Sequence, residues 1–224
     1  MPGDFVLQSF SPQSLYDGYA MMILRSAVPS PFGRKVQIAL SLLGMDDVKF
    51  EPADTMDPRD SVRAQNPLGK IPVLVLEDGT NFYDSRVILE YLDYRAGGGK
   101  IIPQEPNQRF AALRLQALCD GILDASILGV YEGRWRSPEK HEPKWIEHQA
   151  GKVERALSVL ESAPPALAAS PQMPHVGQIA LACALGYRDF RFSGAWRGQY
   201  PRLVAWLDSF AAGVPAFAAT APKV

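Results

Sequence analysis

Cysteine and histidine are scarce in this chain of 224 residues, and their scarcity argues against two kinds of stabilising site. Cysteine occurs twice, at Cys119 and Cys183. The two residues form neither a CxxC pair nor the series of closely spaced cysteines that marks a disulfide framework. Histidine occurs three times, and no cysteine or dense acidic cluster accompanies it, so the pattern predicts no metal site. We therefore expect a protein of the reducing cytoplasm without a disulfide framework.

An excess of charge of one sign and long apolar runs are also missing. The 23 Lys and Arg residues nearly balance the 24 Asp and Glu residues, so the net charge of −1 gives no reason to expect a nucleic-acid partner. No apolar run approaches the ~20 residues that a membrane span requires, and no membrane association is expected. Residues 1–20 contain no Lys or Arg and no long apolar block, which predicts a flexible N-terminal extension rather than a secretory signal.

The first half of the chain alternates strand and helix patterns. A short strand leads to a Pro-rich corner, where Ser30 occupies a helix N-cap position and Pro31 the first helical position. An alternating strand at 48–52, an apolar strand at 71–76, a turn and a return strand follow, and then a helix that stops at a run of glycines. Residues 21–97 therefore predict a βαβ unit, a β-hairpin and a helix, which is enough for a small α/β domain.

Strand patterns are absent from the second half. Residues 98–107 are rich in Gly and Pro and predict a linker. Residues 108–224 carry four segments with apolar residues at helical spacing. The sequence therefore predicts two packed domains, the first α/β and the second all-α.

Three short segments of the first domain contain residues suited to binding a ligand. The Ser30 hydroxyl lies beside the partial positive charge of a helix N-terminus, which can hold an anion or a thiolate. In Gly69-Lys70-Ile71-Pro72-Val73, a proline enters a core strand, so the X-Pro bond is a candidate cis bond and the strand edge can pair with an extended peptide. Asp84-Ser85 at the next helix start can bind an ammonium and a carboxylate. Each segment alone is more often structural than functional.

In this order, the segments resemble the soluble glutathione S-transferases. The motifs are "SPFGRKVQIAL", "NPLGKIPVLVLEDG" and "FYDSRVILEYLD", and the resemblance extends over residues 22–222. In the helical half, "ALCDGILDA" and "IALACALGYRDFR" are similar to a bacterial subgroup of the family with little assigned function. The resemblance implies a thioredoxin-like βαβαββα domain with a mixed four-stranded sheet, followed by an all-α domain.

The resemblance also implies roles for individual residues of a glutathione site. Ser30 matches the serine that hydrogen-bonds the glutathione sulfur in serine-type members. Ile71 matches the residue whose backbone pairs with the cysteinyl part, and Pro72 matches the cis-proline. The remaining matches are the Asp84 and Ser85 pair for the γ-glutamyl group, and Lys70 and Arg59 for the glycine carboxylate.

Two assignments stay open at this point. Ser26 offers a second hydroxyl near the same corner, and Ser30 is favoured because it alone precedes the Pro-Phe helix start. The electrophile pocket is expected between the domains, with candidates on the first long helix: Cys119, Tyr131, Arg134 and Trp135. These four side chains are as readily explained as ordinary core or surface residues, and the sequence names no substrate.

The implied activity is conjugation of the glutathione thiolate to a small hydrophobic electrophile, a detoxification reaction, by a homodimer. Glutathione is then a co-substrate, and neither a metal nor a permanently bound cofactor is needed. One alternative is a non-catalytic glutathione-binding or regulatory protein of the same fold. Another is a different glutathione-dependent enzyme, such as an isomerase, a lyase or a dehalogenase, which would share the glutathione site.

Overall fold

A computed structural model describes residues 21–167 and 173–222, so the predicted extension at 1–20 lies outside the described residues. The first half contains β1 (Met22–Ser26), α1 (Pro31–Leu42), β2 (Val48–Pro52), α2 (Val62–Gln65), β3 (Val73–Val75), β4 (Asn81–Phe82) and α3 (Ser85–Arg95). The second half contains α4 (Pro106–Trp135), a 3-10 turn (Pro138–Lys140), α5 (Pro143–Ser162), α6 (Val176–Phe192), α7 (Pro201–Gly213) and α8 (Pro215–Ala219).

The strands form one mixed sheet in the order β2-β1-β3-β4. β1 is parallel to β2, with Leu24 opposite Phe50, and antiparallel to β3, with Leu24 opposite Leu74. The predicted fold class, a thioredoxin-like α/β domain followed by an all-α domain, is confirmed. The strand predicted at 71–76 is shorter in the structure, because Pro72 has no N–H to give to the ladder and β3 begins only at Val73.

Helix α6 forms the centre of the helical half. All residues from Val176 to Tyr187 are buried, and they pack mainly against α4 and α1. The helix begins with a capping box in which the His175 ring accepts from the Gly177 N–H and the Gln178 side chain accepts from the His175 N–H. In this geometry Gln178 supplies the reciprocal half of the cap.

The two halves are joined by apolar packing and by one buried ion pair. Ile38 and Ala39 of α1 belong to the same buried cluster as α4 and α6. Beside them, the ammonium of Lys35, whose side chain is 0% exposed, contacts the carboxylate of Asp120 on α4. A buried charge of this kind is tolerated only when it is paired, so the ion pair fixes how α1 meets α4.

The segment between the halves is held by one carboxylate. Asp93 of α3 is buried and accepts hydrogen bonds from the backbone N–H groups of residues 99 to 102, at 2.7 to 3.2 Å. Helix α4 then begins at Pro106, inside the stretch predicted as a linker, with Glu105 as its N-cap. Within the described ranges, no helix is both long and apolar enough to cross a membrane.

Candidate active site

A cleft of about 650 Å³ opens between the two halves of the molecule. Its N-terminal wall consists of Ala27, Pro29, Ser30, Pro31, Phe32, Thr55, Met56, Leu68, Gly69, Lys70 and Ile71. Its C-terminal wall consists of Asp124, Ile127, Leu128, Tyr131, Arg134, Trp135, Tyr187 and Arg191. The first wall is built from loops and helix starts, and the second from one face each of α4 and α6.

Ser30 lies on the N-terminal wall as the N-cap of α1. Its Oγ accepts a hydrogen bond from the Gly33 N–H at 3.1 Å, and its own N–H donates to the Ala27 carbonyl at 2.9 Å. Accepting that bond leaves the hydroxyl proton free, because a serine hydroxyl is one donor as well as an acceptor. Ser30 can therefore cap the helix and donate to an anion in the cleft at the same time.

Ser26 occupies a different environment. Its side chain is 0% exposed, and its Oγ has no hydrogen-bond partner among the described residues. A Cβ placed on Gly33 would come within 1.8 Å of the Ser26 Oγ, which shows that the hydroxyl lies against the first turn of α1. Of the two serines that the sequence left open, Ser30 lines the cleft and Ser26 lies beneath the helix.

The loop that carries Lys70 and Ile71 is shaped by Asn66. The buried Asn66 amide donates to the Lys70 carbonyl at 2.9 Å and accepts from the Leu68 N–H at 3.0 Å. Gly69 has φ of +61°, a left-handed conformation that a glycine adopts at little cost. The ability of an asparagine amide to bond its own backbone is the sequence signal for this loop, and the predictions above did not use it.

Ile71 follows as the cleft residue nearest to the sheet edge. The Ile71–Pro72 peptide bond is cis, and Pro72 itself is buried behind the cleft. The described registers of β3 reach Val73 and stop short of Ile71, so the Ile71 backbone lies beyond the ladder. An extended peptide in the cleft can pair with it in the manner of an added strand.

Arg59 does not reach this cleft. Its guanidinium makes two hydrogen bonds to the Asp57 carboxylate, both at 3.1 Å, and its side chain is 89% exposed. The guanidinium of Arg63 instead donates to the Asp57 and Thr55 carbonyls at 2.6 and 2.8 Å, so it braces the loop that carries Thr55 and Met56. Arg59 thus lies outside the described lining of the cleft, paired with Asp57 on the surface, and its role toward the glycine carboxylate stays a prediction.

Asp84 and Ser85 form the start of α3, outside the described lining of the cleft. The Asp84 carboxylate caps α3 by accepting from the Arg86 N–H at 2.9 Å, and it lies 3.4 Å from the Arg86 guanidinium. Arg86 in turn lies 3.5 Å from Asp120, the partner of Lys35. A line of alternating charges therefore runs from this helix start to α1 and α4.

Cys119 is also absent from the cleft and lies in the core. It is fully buried on the face of α4 that packs into the main apolar cluster, and burial raises the pKa of its thiol. Burial raises the pKa of the Cys183 thiol to about 11, so both cysteines stay protonated. The expectation that Cys119 lines the electrophile pocket is corrected: a small apolar side chain on a long helix carries no signal for which face it occupies.

The other three candidates of the C-terminal wall do line the cleft, and two further residues join them. Tyr131, Arg134 and Trp135 come from the last turns of α4. Tyr187 and Arg191 come from α6, one turn apart, and were not among the predicted residues, because helical spacing does not show which residues near the end of a buried helix reach a cavity. Burial raises the pKa of Tyr187, and the nearby positive charge of Arg191 partly offsets that rise.

Comparison with known proteins agrees with this geometry. Residues 24–100 match the family model of the glutathione S-transferase N-terminal domain, and residues 143–209 match that of the C-terminal domain. An uncharacterized GST-like protein of Escherichia coli K12, YibF, is 32% identical over 191 residues, which cover 84% of this chain and 93% of YibF.

Two similar solved structures contain glutathione or a derivative. A glutathione S-transferase from Methylobacillus flagellatus KT with GSH bound is 36% identical, with a TM-score of 0.82, and the match covers 90% of this chain and 100% of that one. A glutathione transferase family member from Pseudomonas fluorescens Pf-5 with bound S-(propanoic acid)-glutathione is 41% identical, with a TM-score of 0.79 and coverage of 91% and 100%. These relatives are bacterial, and the subgroup around YibF is poorly characterised. The chain belongs to the glutathione S-transferase family.

Proposed function

We propose that the protein conjugates the glutathione thiolate to a small hydrophobic electrophile. The observation that carries the proposal is the position of the Ser30 hydroxyl, which faces the cleft from the N-terminus of α1 with its proton free to donate. In this proposal the protein is a glutathione transferase of the cytoplasm. Glutathione is its co-substrate, and it needs no permanently bound cofactor.

Glutathione would lie extended from the N-terminal wall of the cleft to the start of α3. The Ile71 backbone, beyond the end of the β3 ladder, pairs with the cysteinyl unit, and Pro72 follows it as the cis-proline that the family resemblance implies. Lys70 attracts the glycine carboxylate, while Asp84 and Ser85 at the start of α3 hold the γ-glutamyl group. This pose brings the sulfur to Ser30.

The role of Ser30 is to stabilise the thiolate, which is the nucleophile. A free thiol has a pKa near ~8.5, so most of it is protonated at neutral pH. Lowering that pKa by ~2 units requires about 2.7 kcal/mol of preferential stabilisation of the anion. One hydroxyl donor together with the N–H groups of a helix N-terminus lies within that range.

The chemical step forms one S–C bond. The thiolate attacks the electrophilic carbon with its electron pair, and the leaving group departs with the pair of the bond that breaks. For an activated alkene, the carbanion formed next to the attacked carbon takes a proton from water instead. Glutathione bound in the Methylobacillus structure, and its thioether S-(propanoic acid)-glutathione in the Pseudomonas structure, support a site for substrate and product.

We further propose a homodimer and the domain division at residues 21–97 and 108–224. Exposed apolar side chains on α3 and on the first half of α4 support an interface between copies: Val87, Tyr94, Phe110 and Leu118. The molar mass in solution, measured by light scattering, tests the dimer.

The central experiment measures glutathione binding by calorimetry and the pKa of the bound thiol from its ultraviolet absorbance. We expect Ser30→Ala to bind glutathione within a few-fold of the unchanged protein while the bound thiol pKa rises by ~1–2 units. The value of kcat/KM with an aryl halide should fall by about 10- to 100-fold. Ser26→Ala is the matched control, and its thiol pKa should not change.

Each other outcome selects a different conclusion. Failure of the unchanged protein to bind glutathione would contradict the proposed function. Binding without turnover on a panel of electrophiles would favour the non-catalytic alternative, and turnover confined to isomerisation, elimination or dehalogenation would favour another glutathione-dependent enzyme. A thiol pKa that follows Ser26 would contradict the role of Ser30.

A further inference from the structure

The C-terminal wall of the cleft carries two arginines whose charge is not neutralised by the protein. Arg134 and Arg191 both line the cleft, and neither forms an ion pair with any residue in the described part of the chain. The Nε of Arg191 is buried and lacks a hydrogen-bond partner within those same ranges. A buried guanidinium N–H without a partner is costly, and because Arg191 lines the cleft, unlike Arg188, a ligand there can supply an acceptor to this guanidinium.

Both guanidinium groups lie over aromatic rings, Arg134 as an exposed residue and Arg191 as a half-buried one. Arg134 lies 5.0 Å from the centre of the Tyr131 ring, and Arg191 lies 4.3 Å from the centre of the Phe190 ring. A stacked guanidinium uses its flat face and keeps its N–H edge available for a carboxylate. The stacking therefore orients the two donors. Tyr187 takes up part of the donor edge of Arg191, and a guanidinium with five N–H groups keeps others for a ligand.

Tyr187 links these arginines to the position of the sulfur. Tyr187 and Ser30 together line the main cleft and also a small adjoining crevice, so their side chains are neighbours. The positive charges of Arg191 and Arg134 both act on Tyr187 and lower its pKa against the effect of burial. An anion bound by the arginines would therefore lie close to the Ser30 corner.

The positions of the other charged lining residues favour binding of a second anion, separate from glutathione, at Arg134 and Arg191. Besides the two arginines, Lys70 is the basic residue among the described lining residues. It lies on the opposite wall, next to Ile71. Asp124 is the one carboxylate among the described lining residues, and it lies about three turns before Arg134 on α4, about 15 Å along the helix axis. In the proposed pose, the carboxylates of glutathione go to Lys70 and to the start of α3 at Ser85, which leaves the two arginines to the second substrate.

We propose that the electrophile carries a carboxylate, and that Arg134 and Arg191 bind this group and so select acidic electrophiles. The inference rests on the proposed function, because it assigns the second substrate of the same site. It makes Arg134 and Arg191 specificity-determining residues and leaves the activation of the sulfur to Ser30. The apolar side chains of Ile127 and Leu128 also line the cleft, and they contact the carbon skeleton of such a substrate.

The test compares two product analogues that differ only in charge. Calorimetry measures the affinity of S-(2-carboxyethyl)glutathione and of S-(2-carbamoylethyl)glutathione, whose amide matches the carboxylate in shape. We expect the unchanged protein to bind the carboxylate form at least about tenfold more tightly, as charge-assisted hydrogen bonds give. Arg191→Gln and Arg134→Gln should each reduce this preference to about threefold or less, while glutathione itself binds as before.

Arg188→Gln is the matched control. Arg188 lies on the same helix, stacks on Phe192 at 3.7 Å and has a buried Nε without a partner in the described residues, yet it does not line the cleft. Its substitution should leave the preference unchanged. Should Arg191→Gln fail to fold, Arg134→Gln and the decline of the preference with added salt in the unchanged protein test the same point.

The outcomes separate the inference from the proposed function. Equal affinity for the two analogues, with glutathione bound normally, would overturn the inference and leave the proposed function standing. A preference that survives in both variants would overturn the assignment to Arg134 and Arg191. Loss of all glutathione binding in the unchanged protein would instead overturn the proposed function on which the inference rests.

Discussion

The two walls of the cleft are built in different ways. The N-terminal wall is made by local backbone geometry: Ser30 caps the helix that it begins, and Asn66 bonds its own loop. The C-terminal wall is made by side chains that two long helices bring together, so Tyr131 and Tyr187 meet across 56 residues of sequence. A ligand that never changes can be held by backbone, whereas a surface of helix side chains can change its substrate through single substitutions.

The walls are not independent, because one buried ion pair connects them. Lys35 follows Ser30 on α1, and its partner Asp120 lies on α4, the helix that also carries Tyr131 and Arg134. The width of the cleft therefore depends on a contact outside it. Substitutions that break this ion pair, or that change one wall alone, test how far the two walls depend on each other.

The largest expected effect is on the ion pair itself. Asp120→Ala leaves the Lys35 ammonium buried without its main counter-charge, and breaking such a pair is expected to lower the free energy of unfolding by about 3–5 kcal/mol. Urea denaturation measures this loss. Asp124→Ala, an exposed carboxylate one turn further along α4, should change stability by less than about 0.5 kcal/mol.

Replacing both partners completes the test of the ion pair. The double variant Lys35→Met with Asp120→Leu should recover most of the lost stability, because an apolar pair of similar volume carries no desolvation penalty. A single Asp120→Ala variant that loses less than about 1 kcal/mol would mean that the pair does not fix the joint between the walls.

The next largest effect on stability compares one glycine substitution in α4 with one in α1, the helices that contribute to the two walls. A glycine inside a helix normally destabilises it by about 1 kcal/mol relative to alanine, so Gly121→Ala on α4, where a Cβ meets nothing within 4 Å, should stabilise the protein. Gly33→Ala on α1 should instead destabilise it by about 1–3 kcal/mol, since the new Cβ would lie 1.8 Å from the Ser26 Oγ and 2.9 Å from the Ser26 Cβ.

Thermal unfolding of the two variants gives the comparison directly. Ser26→Gly removes both clashing atoms, so it should relieve part of the Gly33→Ala defect in a double-mutant cycle. Equal stabilisation by the two alanine substitutions would contradict the close packing of α1 against β1.

The smallest effect is a pH dependence of the C-terminal half. The His175 ring caps α6 through its unprotonated Nδ1, and burial lowers the pKa of His175 below its ordinary value of about 6.5. The folded state therefore binds this proton less readily than the unfolded state does. The cap's stability, about 1 kcal/mol, is fully present above pH ~6.5 and declines as the pH falls through the lowered folded-state pKa.

The measurement is the difference in unfolding free energy between the unchanged protein and His175→Asn, taken from pH 7.5 to pH 5. Asparagine caps a helix without titrating, so the variant should lose less stability on acidification. Identical pH profiles for the two proteins would show that the neutral ring of His175 does not contribute the cap.

Most of the fold was predictable because most of its elements are specified by residues that lie close together in the sequence. The Ser30-Pro31 corner, the Asp78-Gly79 turn and the apolar periodicity of the later helices each specify an element within a few residues. The positions of Lys70 and Ile71 at the cleft also follow from local features, since a proline ends the ladder beside them. Arg59 was predicted beside the ligand, whereas in the structure it pairs with Asp57, two residues away, and lies outside the described cleft lining.

What the sequence determined by itself was the order of elements, the two-domain architecture and the ligand corner at Ser30, all of which depend on neighbouring residues. Only the tertiary structure decided which serine faces the cleft, that Cys119 lies in the core, and that Arg191 joins Arg134 on one wall. The reason is physical: helical spacing shows that one face is apolar, but the neighbouring helix decides which residues at its margin are buried and which line a cavity.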